Sequence, residues 1–249
     1  AKGGIVLWSD RPTIIGYVNV IQKTPIFMNA LGISALRVLV GTPIILFFTY
    51  VMGYVLSRKG LPGRNGLLIF VLITILFSGG MIPTYLVVNK LNMINTPWAM
   101  IIPSAIAIYN VIVMRTYFMN SIPSTLQEAA ELDGANTFQY LIKVVLPLSK
   151  PILAVIGLYY AVGHWNAWFG ASIYLQDPEK YPLQLVMRNI LESANVNEML
   201  GDVGGEDQAR YVELIKYALI VVSTVPILVL YPFLQKYFVK GIMVGSIKG

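Results

Sequence analysis

The sequence predicts an all-α integral membrane protein, and its composition and apolar patterning support this fold class. Of the 249 residues, 56% are hydrophobic and 12% are charged, whereas about 25% of the residues of soluble domains are charged. The mean hydropathy is +0.68. The apolar residues form long blocks, and ~20 apolar residues cross a bilayer as a helix. Because a helix satisfies its backbone polar groups internally, the blocks are predicted to be helical.

The apolar blocks predict five spans within one transmembrane domain that covers residues 1–249. The five blocks are residues 30–56, 67–88, 98–114, 151–173 and 212–234. Prolines inside the blocks are expected to form kinks that neighbouring helices cover. Residues 1–29 mix polar and apolar side chains and are not expected to span. A large cytoplasmic segment, residues 121–150, and a large external loop, residues 172–211, connect the later spans.

The placement of lysine and arginine predicts the orientation of these spans. The first connection holds Arg58, Lys59 and Arg64 and no acidic residue. The third connection carries Arg115, Lys143 and Lys150, and the C-terminal tail carries Lys236, Lys240 and Lys248. These regions are predicted to be cytoplasmic. The fourth connection carries three basic and seven acidic residues, which indicates an external location. The formal net charge of +6 is thus explained by orientation, and no nucleic-acid partner is expected.

Five spans with a cytoplasmic C-terminus would place Ala1 outside the membrane. An external N-terminus without a signal peptide is difficult to deliver, so we expect a further helix upstream of Ala1 and six spans in the full-length chain. A true five-span protein is the alternative. Either topology predicts a multi-pass membrane protein with a cytoplasmic C-terminus.

Several catalytic chemistries are missing from the sequence. There is no cysteine and a single histidine, which excludes thiolate nucleophiles and cysteine- or histidine-rich metal sites. The sequence contains no G-x-x-x-x-G-K-[ST] phosphate loop. We therefore expect a protein that is not an enzyme and that holds no metal or cofactor itself.

The cytoplasmic segment has the local signals of two short helices joined by a tight turn. Ser124 and Gln127 have the spacing of a capping box, and the following apolar positions recur at helical spacing. Gly134 suits the left-handed residue that ends a helix. Asn136 and Gln139 repeat the capping pattern and are predicted to begin a second helix toward Leu146. The apolar face of the first helix comprises Leu126, Ala129, Ala130 and Leu132.

This segment resembles the cytoplasmic loop of permease subunits of ABC importers. The sequence Glu128-Ala129-Ala130 is followed after three residues by Gly134 and, nine residues later, by Val144-Val145-Leu146-Pro147. Valine in place of isoleucine at position 144 is the only departure from the family pattern. The resemblance implies a type I importer transmembrane domain. The residues that it assigns to coupling with an ATPase are Glu128, Ala129, Ala130, Leu132, Asp133, Gly134, Ala135, Leu146 and Pro147.

Less specific stretches are similar to the carbohydrate branch of this family. They are residues 77–85, 163–166 and 181–184. Together they look most like a subfamily that imports polysaccharide-derived oligosaccharides such as alginate or pectin fragments. A permease for a non-sugar solute is the alternative, and an ion-coupled secondary transporter is the alternative from another class. Glycines 79 and 80 are expected to allow a kink or a close helix approach.

The resemblance also implies the partners of the chain and its location in the bacterial cytoplasmic (inner) membrane. A second, non-identical permease would pair with it in the lipid membrane, above two ATPase subunits that bind ATP and Mg²⁺. An extracytoplasmic solute-binding protein would deliver the oligosaccharide. The helix around residues 128–135 would dock into a groove on one ATPase subunit and turn with it, which would switch the cavity between inward- and outward-facing states.

Polar residues within the predicted spans are candidates for the substrate path. His164, Trp165 and Asn166 lie in the fourth span, where polar groups usually face the protein interior or a water-filled path. Trp165 could stack on a sugar ring. The alternative is helix packing, with Asn166 bonded across the bundle. Arg37, in the first span, is expected to snorkel toward the external interface.

The external loop contains a polar stretch with a glycine-rich end, residues 193–205. By family resemblance, a loop in this place contacts the binding protein and can reach into its sugar cleft. A solvated loop without a partner is the alternative. The residues expected to face the binding protein are Asn195, Asn197, Glu198, Gly201 and Asp202.

Overall fold

The structure, a computed structural model, describes residues 25–199 and 220–229, together with the isolated residues Val18, Leu214, Tyr217 and Ala218. All regular secondary structure within these residues is helical, which confirms the predicted all-α class. The α-helices are α1 Pro25–Ser57, α2 Arg64–Leu76, α3 Met81–Lys90, α4 Trp98–Ile101, α5 Ile108–Ser121, α6 Ser124–Leu132, α7 Thr137–Tyr140, α8 Leu146–Leu148, α9 Lys150–Asn166, α10 Phe169–Tyr174, α11 Leu183–Met199 and α12 Ile220–Val229. Short 3₁₀ turns span Ile102–Ser104 and Pro178–Lys180, and a π-helical turn spans Leu141–Val145.

Helix α1 is the long axis of the structure. Its 33 residues extend about 50 Å at the rise of an α-helix, which exceeds the thickness of the hydrocarbon core. Pro43 lies within it and does not end it. Within the described residues α1 is the one unbroken helix that is long and apolar enough to span a membrane, or one of four spans if each bent helix pair is counted as a span. The predicted span over residues 30–56 is therefore confirmed.

The predicted spans over residues 67–88 and 98–114 are not single helices. The first is divided into α2 and α3, which meet at 113°. Gly80 lies at this break with a φ of 85°, a left-handed conformation that a residue without a β-carbon adopts readily. Of the two roles expected for the glycine pair, the structure shows the kink. The second predicted span bends by 53° between the 3₁₀ turn and α5.

The predicted span over residues 151–173 ends early. Helix α9 stops at Asn166 because Ala167 is extended, and the chain becomes helical again only at Phe169. Apolar side chains continue through this break, so hydrophobicity alone did not locate it. Of the fifth predicted span, the apolar helix α12 is described, and the flanking residues lie outside the described part of the chain.

The connections alternate between the two ends of the bundle, as the charge pattern predicted. At one end, Arg58 of the first connection donates a hydrogen bond to the side chain of Gln127 in the third. At the other end, the backbone N–H of Asn95 in the second connection donates to the carbonyl of Tyr174 at 2.7 Å. Asn29, near the start of α1, donates to the carbonyl of Glu179 at the same end.

The core lies where α1 crosses α5 and α9. Ile45, Met114 and Ile156, one from each helix, are fully buried there. The hydroxyls of Thr49 and Tyr160 share a hydrogen bond of 2.7 Å between α1 and α9. This crossing joins the middle of α1 to the two helices that flank the cytoplasmic segment in the sequence.

The expectation of a loop over residues 172–211 is wrong for residues 183–199, which form α11. Leu183, Val186, Met187 and Ile190 have the i, i+3, i+4, i+7 spacing of an amphipathic helix, so the signal was present in the sequence. The start of α11 is held by a residue that is distant in the sequence. The backbone N–H of Leu183 donates to the hydroxyl of Ser34 in α1 at 2.8 Å.

Candidate functional site

The first helix of the cytoplasmic segment, α6, begins differently from the prediction. Pro123 occupies the N-cap position and makes no side-chain capping bond, and Ser124 is already inside the helix. The predicted capping box of Ser124 and Gln127 is therefore wrong. Gln127 instead donates through Nε2 to the carboxylate of Glu131 at 2.6 Å and accepts a hydrogen bond from Arg58.

The turn after α6 has the predicted geometry. Gly134 has a φ of 79°, and its N–H donates to the carbonyl of Glu131 at 3.0 Å. The N–H of Ala135 donates to the carbonyl of Ala130 at 2.9 Å. These two bonds form a Schellman motif, which satisfies carbonyls that the end of a helix leaves free. The role predicted for Gly134 as a left-handed helix terminus is confirmed.

The second half of the segment starts with the predicted capping box. The N–H of Gln139 donates to Oδ1 of Asn136 at 2.8 Å, and the N–H of Asn136 donates to Oε1 of Gln139 at 3.0 Å. The chain then passes through the π-helical turn before Leu146 and Pro147. A wider turn suits this position, since a proline lacks the N–H for the i−4 carbonyl and its ring crowds that carbonyl.

The apolar face predicted for α6 is divided between the bundle and the solvent. Ala130 packs against the core cluster that contains Tyr140, Phe118 and Tyr54. Leu132 points away and is 90% exposed, and Glu128 and Ala129 are exposed with it. Leu126 is 39% exposed, and Phe138, just after the turn, is 69% exposed. The structure thus brings the predicted coupling residues 128–135 together at one end of the bundle, with apolar side chains in the open.

Two side chains of α1 and one that directly follows it hold this segment against the bundle. Tyr50 donates to the carbonyl of Leu141 at 2.9 Å. Arg58, just beyond the helix, donates hydrogen bonds to the hydroxyl of Tyr54 and to the side chain of Gln127. Its guanidinium also lies over the ring of Tyr140. Sequence reasoning used Arg58 only for orientation and missed the tyrosines. Tyr50, Tyr54 and Arg58 are four residues apart, a spacing that places side chains on one face of a helix. The sequence could therefore have identified them as a group.

The candidate substrate-path residues separate in the structure. Trp165 is buried and donates through Nε1 to the carbonyl of Ser223 in α12 at 3.0 Å, a packing contact between helices that the alternative had expected at Asn166. His164 is 6% exposed, and its Nε2 has no hydrogen-bond partner among the described residues. Asn166 is exposed at the end of α9. Contact of these residues with a solute stays a prediction.

Arg37 does not snorkel as expected, but is 8% exposed inside the bundle. Its two terminal nitrogens donate to the carbonyl of Ala167 at 3.1 Å and to that of Met100 at 3.2 Å. Both carbonyls lie at or near the end of a helix, α9 and α4 respectively, where the backbone leaves acceptors free. A guanidinium is also favoured at the negative end of the helix dipole. The hydropathy of the sequence did not show the two helix ends that supply these carbonyls. Because they provide acceptors inside the bundle, Arg37 is buried rather than extended to the interface.

Only part of the stretch expected to face the binding protein is described. Asn195, Asn197 and Glu198 belong to the last turns of α11. Gly201 and Asp202 lie outside the described residues. Helix α11 is at the end of the bundle opposite α6, because its start contacts the N-terminal part of α1.

Comparisons with known proteins agree with the pattern of the cytoplasmic segment. Residues 13–244 match the profile of a family described as "Binding-protein-dependent transport system inner membrane component". The chain is 44% identical to "Protein LplC" of Bacillus subtilis (strain 168) over 227 residues, which cover 91% of this chain and 76% of that protein. It is 43% identical over 231 residues to the "Polygalacturonan/rhamnogalacturonan transport system permease protein YtcP" of the same organism, with 92% and 80% covered.

A solved structure is similar over most of its length. It is a chain of the "Crystal structure of a bacterial ABC transporter involved in the import of the acidic polysaccharide alginate". The TM-score is 0.78 at 32% sequence identity, and the match covers 90% of this chain and 79% of that chain.

Proposed function

The chain belongs to the family of binding-protein-dependent transport system inner membrane components, and from this premise we propose that it is a permease subunit of an ATP-driven oligosaccharide importer. The observation that carries the proposal is the exposed face of the cytoplasmic segment. Leu132 and Phe138 place large apolar side chains in the open beside a rigid turn. An apolar patch of this kind on a polar rim is typical of a protein interaction site.

The partner at this patch is an ATPase subunit. A short amphipathic helix can lay its apolar face in a groove of another protein, and α6 presents Ala129 and Leu132 outward while Ala130 fixes it to its own bundle. Closure of two ATPase subunits on ATP would then move α6 and favour one of two membrane conformations. ATP binding supplies the difference in affinity that any ligand-driven shift of conformation requires.

The proposed solute is an oligosaccharide released from an acidic polysaccharide. The support is the name of one relative, a polygalacturonan/rhamnogalacturonan permease, and the alginate importer among the similar structures. An extracytoplasmic binding protein would deliver the solute at the end of the bundle where α11 begins. A second, non-identical permease completes the path through the membrane.

The docking test uses Leu132, because a side chain that is 90% exposed can be changed without disturbing its own fold. We expect Leu132→Arg to reduce co-purification of the ATPase subunits and to abolish solute-stimulated ATP hydrolysis and uptake. Leu91→Arg is the matched control, since Leu91 is also exposed but lies at the opposite end of the bundle, after α3. Normal ATPase content and uptake in the Leu132→Arg complex would contradict the proposal.

Gly134→Val tests the same segment through its backbone. A β-carbon at this position would meet no atom within 4 Å, so the expected effect of the substitution is the strain of the left-handed φ, roughly 1–2 kcal/mol. We expect the subunit to insert into the membrane while uptake in proteoliposomes is lost. Wild-type uptake would show that the geometry of the turn is not needed for coupling.

A further inference from the structure

Arg58 connects the end of α1 to both halves of the cytoplasmic segment. It follows the last residue of α1, and its guanidinium donates to the amide oxygen of Gln127 in α6 and to the hydroxyl of Tyr54 in α1. The guanidinium carbon also lies 4.4 Å from the ring centre of Tyr54 and 5.2 Å from that of Tyr140. One planar cation thus contacts α1, the helix before the glycine turn and the helix after it.

The contact with Gln127 is special within α6. Among the hydrogen bonds that the structure gives for the described residues, it is the one that joins a side chain of this helix to a residue outside the cytoplasmic segment. Gln127 is itself held by Glu131. Ala130 also packs against the core, and the chain itself joins α6 to α5 and to α7. Arg58 is therefore the side-chain link through which a force on the exposed face of α6 can reach α1.

The stripe behind Arg58 is suited to receive such a force. Tyr54 and Tyr50 precede it by one and two turns on the same face of α1, and both pack edge-on against Phe118 of α5, at 6.2 Å and 5.5 Å between ring centres. Thr49, the residue before Tyr50, shares a hydrogen bond with Tyr160 of α9. Close-packed interiors transmit displacement rather than absorb it.

We propose that Arg58 is the positioning residue that makes α1 and α6 move as one body during transport. The proposal rests on the function proposed above. It assigns the mechanical link to a residue outside the motif of residues 128–147. Arginine suits the role because its planar, forked group can donate to two partners and stack on aromatic rings at once, whereas a lysine ammonium is a point charge on a flexible stem.

The test compares uptake with ATP hydrolysis in proteoliposomes that contain the complete importer. We expect Arg58→Ala to retain its ATPase subunits and to continue hydrolysing ATP, while uptake per ATP falls by about tenfold, the effect of losing one charge-assisted hydrogen bond on an equilibrium. Arg58→Lys is expected to remain impaired, since it cannot restore the fork. Lys59→Ala is the matched control, because Lys59 is the adjacent, exposed cation.

Gln127→Ala removes the same hydrogen bond from the other side and serves if the Arg58 variants fail to fold. The double variant Arg58→Ala/Gln127→Ala should be no worse than Arg58→Ala alone, because residues that act through one contact are not additive. Additive losses, an unchanged ratio of uptake to hydrolysis, or loss of the ATPase subunits would each overturn the proposal. If the wild-type complex takes up no acidic oligosaccharide under ATP, it is the proposed function that fails.

Discussion

Arg37 illustrates how a single charge is accommodated in the apolar interior of this bundle. Burying an unpaired cation is costly, yet the guanidinium lies between two carbonyl groups that helix breaks have released. The two carbonyls satisfy the terminal nitrogens of the guanidinium, while its Nε has no hydrogen-bond partner among the described residues. Arg37 thereby ties α1 to the end of α9 and to α4, three elements that are distant in the sequence.

We predict that Arg37→Met destabilises the subunit. The substitution keeps an unbranched apolar chain but removes the Arg37 donor from the carbonyl of Ala167 and from that of Met100, which keeps a 3.4 Å contact with the hydroxyl of Ser104. Each hydrogen bond to a charged group contributes about 1.5–3 kcal/mol, and relief of the buried charge offsets part of this, so we expect a net loss of about 2 kcal/mol. Thermal unfolding of the detergent-solubilised protein measures it.

The control is Lys90→Met, which removes an exposed cation that makes no hydrogen bond or ion pair with another described side chain. Its unfolding temperature should match that of the wild type. If the unfolding temperature of Arg37→Met also matched that of the wild type, the two hydrogen bonds to the carbonyls would contribute nothing measurable to stability.

At the scale of the elements, the close crossing of α1 and α5 depends on a glycine. A β-carbon on Gly53 would lie 2.8 Å from Cγ of Met114, 3.0 Å from its Cβ and 3.4 Å from the backbone nitrogen of Arg115. These atoms lie on or near the backbone of α5 and cannot move aside without shifting that helix. Small residues at helix crossings of this kind are typical of membrane proteins.

We predict that Gly53→Ala destabilises the packing of α1 on α5 by about 1–3 kcal/mol, the usual effect of overpacking. Gly32→Ala, in the same helix, is the matched control because a β-carbon there meets nothing within 4 Å. It should be neutral or slightly stabilising, since alanine favours the helical backbone. Thermal unfolding of both variants compares them, and equal values would mean that the crossing tolerates the added methyl group.

At the scale of the whole molecule, charge and connectivity agree on two distinct ends. The end with α6 carries Arg58, Lys59 and Lys143, whereas Asp177 and Glu179 lie at the other end beside Asn29 and Asn95. The rule that basic residues concentrate in cytoplasmic connections assigns the first end to the cytoplasm. This predicted orientation would place the exposed face of α6 on the side where ATP is available.

The orientation can be measured directly because the sequence contains no cysteine. We predict that Lys90→Cys reacts with a membrane-impermeant maleimide in intact cells whose outer surface is accessible. Lys59→Cys should react only after the membrane is opened. Both positions are exposed, so neither result depends on burial. Labelling of Lys59→Cys in intact cells would reverse the orientation.

The sequence by itself determined the features whose signals are local. Helical character follows from apolar blocks in lipid, and the alternation of the connections follows from their charge. The turn at Gly134 and the capping box of Asn136 and Gln139 are set by residues within five positions of one another, so spacing predicted them, although the same spacing at Ser124 and Gln127 does not form a capping box. The motif of residues 128–147 is local in the same sense, and it indicated the family correctly.

Only the tertiary structure decided which side chains meet across the chain. Arg37 reaches Ala167 over 130 positions and Arg58 reaches Gln127 over 69, and no pattern within one block contains such pairs. The tertiary structure likewise decided where the helices break, at Gly80 and Ala167, and that Leu132 points outward. These features arise because packing, rather than hydrophobicity alone, selects where a helix stops, which face it buries and which donor satisfies the carbonyls it leaves free.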